Sequence, residues 1–364
     1  MNKELKILGL KTFGHNKAID FINKSIIMSK TSHAYLITGP ENIGKKTLAV
    51  DLASILNAKP NKDMFDNQYV IDISSSKERS RILNGNHSDI KIIDKEFSDQ
   101  TNRSSLVISI DQIRQIIKDI YLKPFEGEKK IYIINQAQNM TEPGYNSMLK
   151  ILEEPPQEAA IILTAPSIKS LPSTIVSRCQ LINLDYIQKQ DIENFILRNF
   201  DIDESKSEFI SRISKGKIGF AINACNDQTL IDDYFQTILK FAEILSSGID
   251  KRFNYARDIS SLYRKNKNQV YKELSMWLDF WRDLLVLKNG LNEHIVNQEW
   301  REMILKISEE IEIRKILDVM QEFKKSIKYL EQNGSPQLII EVLMMELPFV
   351  NMGKISDVKP SIIF

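Results

Sequence analysis

The sequence predicts an α/β protein: a mostly parallel sheet covered by helices and carrying a phosphate-binding loop, then a small helical domain and an all-α domain. Three observations lead there. First, Gly39-Pro40-Glu41-Asn42-Ile43-Gly44-Lys45-Lys46-Thr47 lies between a short apolar run, Ala34 to Thr38, and an amphipathic run that begins at Leu48. That is the strand–glycine loop–helix context of a phosphate cradle. Second, apolar runs of strand length alternate with helical periodicity up to Leu184, the pattern of a sheet buried on both faces. Third, the strand signal stops after Leu184.

In order, Ala18, Ile22 and Ile26 recur at four-residue spacing and predict a helix. Ala34 to Thr38 is the first core strand. Leu48, Leu52, Ile55 and Leu56 form one stripe of the helix after the glycine loop, closed by Pro60. Residues 61–89 are polar and without clear periodicity, so an irregular excursion is expected there. Ile90 to Ile93 is a second strand, and the polar stretch from Ser98 to Ser105 a loop. Ile113, Ile116, Ile117, Ile120 and Tyr121 mark a helix that Pro124 and Gly127 end. Ile131 to Ile134 is a buried strand. Thr141 is an N-cap and Pro143 sits in the first turn of the next helix. Glu153-Glu154-Pro155-Pro156 stops that helix. Ala160 to Leu163 and Leu181 to Leu184 complete the strands.

Residues 187–226 read as a small helical unit, with Gly216 and Gly219 near its end. From Leu230 the pattern is helical to about residue 348. Leu274, Trp277, Leu278, Trp281 and Leu285 give its clearest stripe, which assigns both tryptophans to the core. The tail after Met352 is expected to be frayed.

Composition narrows the function classes. A chain of 364 residues is long enough for two or three domains. Lys plus Arg number 49 and Asp plus Glu 48, for a net charge of +1, which argues against a general polyanion binder. No apolar run reaches membrane-spanning length, and the N-terminus lacks a signal-peptide core. Two cysteines and four histidines offer no zinc spacing, so no zinc is expected. The cytoplasm follows as the default compartment.

The chemistry of the loop is incomplete. Gly39, Pro40 and Gly44 turn the backbone, the helix adds its positive dipole end, and Lys45 reaches toward phosphates. The pattern then asks for a hydroxyl to hold Mg²⁺. Here Lys46 stands at that place and Thr47 comes one residue late. The partner strand, Ile131 to Ile134, should end in acids that hold Mg²⁺ and polarise water. It ends in the amides Asn135 and Gln136. Asp94, after the strand Ile90 to Ile93, is the alternative acid of a differently wired site.

Four segments carry a resemblance: His33-Ala34-Tyr35-Leu36-Ile37-Thr38-Gly39-Pro40; Ile110-Asp111-Gln112-Ile113-Arg114; Asn146-Ser147-Met148-Leu149-Lys150-Ile151-Leu152-Glu153-Glu154-Pro155-Pro156; and Ser177-Arg178-Cys179. In this order the chain resembles the AAA+ clamp-loader family of bacterial DNA polymerase III, and most closely its delta prime branch. The resemblance implies an ATPase-like domain over residues 1–185, a helical lid over 186–229, a helical collar over 230–350 and a tail over 351–364. It implies a hetero-pentamer with motor subunits and a delta subunit, and contact with the sliding clamp. Primed DNA is contacted only within that complex, and no membrane is involved. It also implies that Arg178 projects into the ATP site of a neighbouring subunit. Such an arginine presents a permanently charged fork to phosphate oxygens and speeds hydrolysis by roughly 10³–10⁵-fold.

The chain departs from the family in two places. No cysteine precedes Cys179, so the four-cysteine zinc module of many relatives is missing. The stretch Gly216-Lys217-Ile218-Gly219-Phe220-Ala221 has no arginine of the kind that senses nucleotide in the motor subunits. The resulting expectation is a non-hydrolysing subunit of the DNA-directed DNA polymerase (nucleotidyltransferase) holoenzyme, with no required cofactor. The alternative is an active ATP-hydrolysing motor, supported by Gly44 and Lys45. A stand-alone nucleic-acid binder fits the neutral charge poorly. Whether the loop holds ATP without hydrolysis, or Lys46 fills the pocket, is left open at this level.

Overall fold

A computed structural model of the chain describes residues 5–59, 61–62, 69–97 and 106–351. The chain forms two compact units. One spans Met1–Asn199 with Ser214–Ile222, and the other Phe200–Ile213 with Asn223–Phe364. The helices expected as a lid are therefore shared between the two units.

The first unit is built on a five-stranded sheet in the spatial order Gln180–Asn183, Ala34–Thr38, Ala159–Ala165, Lys130–Ile134, Ile90–Ile93. Every neighbouring pair is parallel. All residues of the three middle strands are buried, which is why they read as unbroken apolar runs. The period of two then sorts them between two cores. Tyr35, Ile37, Ile131 and Ile133 pack with Leu48 and Leu52 of the helix Lys45–Asn57. Leu36, Tyr132, Ile134 and Leu163 face the other way, onto Ile113 and Ile116 of Ile110–Asp119 and Met148 and Leu152 of Glu142–Glu153. Ser109 and Gln112 close a reciprocal capping box on the first of these helices. Thr141 is the N-cap of the second, with Pro143 in its first turn, although its hydroxyl makes no capping bond.

The register aligns the carboxyl ends of the strands. Thr38 pairs with Asn183 and Ala165, and Ile134 with Leu163 and Ile93. The glycine loop and Asn135 therefore emerge along one edge, where ligands bind in open parallel sheets.

Residues 61–89 are not irregular throughout. Tyr69–Asp72 is a strand parallel to Leu5–Leu8, and the short strand Asn61–Lys62 pairs with it antiparallel. A helix, Ser76–Leu83, follows, capped by the Ser75 hydroxyl accepting from the Glu78 amide. The polar reading fails for two physical reasons. The strand's partner lies far away in the chain, and among the described residues of the segment the buried apolar side chains are few, Ile71, Ile73 and Ile82. Asp51 then fastens this layer. Its fully buried carboxylate accepts from the amides of Lys11 and Thr12, the Thr12 hydroxyl and the Arg79 guanidinium. The expected loop at Ser98 to Ser105 and the tail from Met352 lie outside the described residues.

The second unit is helical, with its longest members at Thr229–Leu245, Ile249–Lys265, Lys267–Lys288 and Ile313–Glu331. Trp277 and Trp281 are fully buried, as their spacing predicts. Trp277 stacks on Tyr255 with centroids 5.1 Å apart and donates to the Thr237 carbonyl. Asp283, fully buried, accepts the amides of Val296 and Asn297 and ties down the turn that follows its helix.

Candidate nucleotide-loop site

The glycine loop is held in a defined shape. Gly39, Asn42 and Gly44 have φ of 151°, 59° and 106°. Gly44, the N-cap of the helix Lys45–Asn57, is left-handed, a conformation that a side chain would strain. Two outside contacts fix the loop between these points. Nε2 of the buried His15 donates to the Ile43 carbonyl at 2.8 Å. The amide of Gly219 donates to the Asn42 carbonyl at 2.8 Å. A Cβ on Gly219 would come within 2.7 Å of that carbonyl oxygen, so the position takes only glycine at this approach.

Lys45 is turned onto its own loop. Its ammonium donates to the carbonyls of Gly39 at 2.7 Å and Pro40 at 2.6 Å. Burial lowers its pKa to about 8; Glu41 opposes that shift and the nearby Lys217 ammonium adds to it. Thr47 is half-buried in the first helical turn.

Around Lys46 the structure joins residues that sequence reasoning treated separately. The Lys46 ammonium donates to Asp94 Oδ2 at 3.0 Å. Asp94 Oδ1 accepts from Asn135 Nδ2 at 2.6 Å. Asn135 Oδ1 accepts from the Thr164 hydroxyl at 2.9 Å, and that hydroxyl accepts the Gln136 amide at 2.9 Å. One chain of hydrogen bonds thus runs from the first turn of the loop's helix across three strand ends. Thr164 was missed from sequence. The only signal was a lone hydroxyl at the end of a buried apolar run. Gln136, with φ of 54°, accepts at its side-chain oxygen from Asn139 Nδ2.

The donor set does not suit Mg²⁺. An ammonium stands at the hydroxyl position, and the strand that should end in carboxylates offers a neutral amide already bonded on both atoms. Among the described residues no group of three or more His, Cys, Asp or Glu is arranged to hold a metal ion. The loop backbone, by contrast, keeps the positive-φ turns at Gly39 and Gly44 that its sequence pattern calls for. A cavity of about 350 Å³ opens at the same sheet edge, lined by Gly39, Pro40, Lys169 and Asp185 among others.

Arg178 lies in a separate cluster, in the turn between the short helix Ser173–Val176 and the strand Gln180–Asn183. Nη2 donates to Glu153 Oε1 at 2.7 Å, and Nη1 to the Thr174 carbonyl at 3.0 Å. Its side chain remains 35% exposed. The neighbouring Cys179 thiol is pushed up to about 12 by burial, so it stays protonated and unreactive.

Residues 14–188 match the family described as DNA polymerase III, delta subunit. The chain is 24% identical over 340 residues to the DNA polymerase III subunit delta' of Bacillus subtilis, covering 91% of this chain and 95% of the relative. It is 24% identical over 350 residues to subunit tau of the same organism, covering 90% of this chain but only 59% of tau. Among solved structures, a gamma subunit-related protein of Thermotoga maritima superposes with a TM-score of 0.41 at 15% identity, covering 91% of this chain and 97% of that one. The chain is thus similar to DNA polymerase III clamp-loader subunits, by a family match over residues 14–188 and by relatives aligned along nine-tenths of its length.

Proposed function

We propose that this chain is the delta prime-type, non-hydrolysing subunit of a clamp loader. In that role it helps hold the complex for the sliding clamp and primed DNA, and lends Arg178 to the ATP site of a neighbouring motor subunit. The observation that carries this reading is the Lys46–Asp94–Asn135–Thr164 chain. It fills with mutually satisfied polar groups the place where a motor needs a metal ion and an acid that polarises water. Arg178 supports the second half of the reading. It sits at the surface in the Ser177-Arg178-Cys179 segment, tied by one exposed ion pair that a phosphate can replace.

The test is steady-state ATPase activity. The isolated chain should show no magnesium-dependent turnover. Arg178→Ala should lower the turnover of the reconstituted complex and leave its assembly, followed by size-exclusion chromatography, unchanged. Turnover by the isolated chain that Lys45→Ala abolishes would establish the competing motor reading, which the intact turn at Gly39, Gly44 and Lys45 favours.

A further inference from the structure

The loop keeps its glycine turns and its lysine, while its surroundings do not suit the metal ion that normally accompanies a nucleoside triphosphate. These two facts belong together if the ammonium of Lys46 does the work of the metal. In a magnesium site the cation bridges a protein carboxylate and phosphate oxygens. Here Lys46 is already bonded to Asp94 at 3.0 Å. Its side chain is 44% exposed, so it retains donors free to turn toward a ligand on the loop. A Mg²⁺ ion at the same place would face that ammonium at close range and find at Asn135 an amide in place of a carboxylate.

A third ammonium converges on the site. Gly219 donates its amide to the loop at Asn42, and Ile218 Cγ2 lies 3.9 Å from a Cβ built on Gly44. Those contacts place Lys217, the preceding residue, beside the loop, where its charge reaches Lys45. Lys45, Lys46 and Lys217 face the acids Glu41 and Asp94. Glu41 is exposed and Asp94 is paired with Lys46 and Asn135. Beside Gly39 and Pro40, Asp185 adds a third carboxylate and Lys169 a fourth ammonium, so cations still exceed acids and an anion is favoured.

We infer that the Lys46 ammonium stands in for magnesium, so that the loop binds the phosphates of a nucleoside triphosphate without a metal ion. This rests on the non-hydrolysing reading above and deepens it. Lys46 bridges Asp94 and the terminal phosphates, Lys45 leaves the carbonyls of Gly39 and Pro40 for the same anion, and Lys217 closes the cradle from the side of Gly219. No bond of the ligand is broken, because nothing in the cradle activates water.

The test is equilibrium binding of a fluorescent ATP analogue to the full chain, in EDTA and in millimolar Mg²⁺, with inorganic tripolyphosphate as competitor. The expected result is binding in EDTA at least as tight as in Mg²⁺, displaced by tripolyphosphate. Lys46→Met should weaken binding in EDTA by roughly tenfold, the loss of one charge-assisted hydrogen bond, and Lys46→Arg should restore most of it. A thermal melt confirms that each variant is folded. Binding that requires Mg²⁺, or no binding under either condition, overturns the inference. Both outcomes leave the non-hydrolysing reading standing, since only nucleotide turnover by the chain removes that one.

Discussion

The Lys46 ammonium lies 3.0 Å from the Asp94 carboxylate, joining the first turn of the loop's helix to the end of the strand Ile90–Ile93. Both side chains are nearly half exposed, so the pair itself contributes little, about 0–1 kcal/mol. Its consequence is positional, because Asp94 also orients Asn135. Asn135→Ala removes the middle of the chain and leaves the fully buried Thr164 hydroxyl and Asp94 Oδ1 each short of a partner. We expect it to cost about 1–3 kcal/mol, and Asp94→Asn less than about 1 kcal/mol. Urea denaturation monitored by circular dichroism checks the order. Equal losses would mean that the three residues do not act as a chain.

The titration of Lys45 gives a signed pH dependence. Burial, with Lys217 adding to it, holds its pKa at about 8, below the ordinary 10.5. Between those values the unfolded chain binds more protons than the folded one, so stability rises with pH across that window. Wild type should therefore gain on Lys45→Met as the pH is raised from 7.5 to 10.5, read as the difference between their urea midpoints. Affinity for a triphosphate should move oppositely and fall above about pH 8, as the ammonium is lost. A midpoint difference that is flat across the window would contradict the assignment.

In the helical unit, one arginine closes two helix ends. Arg252, 5% exposed, donates to six carbonyls: Ile244, Leu245 and Ser247 at the end of one helix, and Met344, Leu347 and Pro348 at the end of another. A helix C-terminus leaves such acceptors short of intrahelical partners; here the Ile244 and Leu245 carbonyls also accept the amides of Ser247 and Val350. Arg252→Met removes the donor of the Ser247, Met344, Leu347 and Pro348 carbonyls in the interior and should destabilise the chain by about 3 kcal/mol. Arg252→Lys should recover part of that, since three donors replace five. Chemical denaturation of the full chain measures both. The prediction fails if Met and Lys are equally tolerated.

The legible parts of this molecule are those whose signal is local. The central strands announce themselves because burial on both faces removes polar residues from Ala34–Thr38, Lys130–Ile134 and Ala159–Ala165 almost entirely. The glycine loop is legible because left-handed backbone at Gly39 and Gly44 demands particular residues at fixed spacing. The strand Tyr69–Asp72 is not legible, since its pairing with Leu5–Leu8 leaves no mark near either segment. The candidate site divides in the same way. Lys46, Asn135 and Asp94 each stand out in the sequence, but the bonds among them join residues more than 40 positions apart. Arg252 carries no local signal at all, because its role comes from the carbonyls that tertiary packing brings around it.

The exposed pair between Arg178 and Glu153 sets the last prediction. If Arg178 acts on phosphate in a neighbouring subunit, Glu153 competes with that phosphate for the same guanidinium. The pair is exposed by 35% and 52% on its two sides, which places its strength near the weak end of ion pairs, whereas a phosphate accepts the planar fork bidentately. Glu153→Gln should therefore leave the ATPase rate of a reconstituted complex at or above the wild-type value. Arg178→Lys, which keeps the charge but loses the fork, should remove most of the contribution that Arg178→Ala removes. Should Glu153→Gln depress turnover as deeply as Arg178→Ala, Glu153 positions the guanidinium and does not compete for it, and the geometry at Glu153 Oε1 is the productive one.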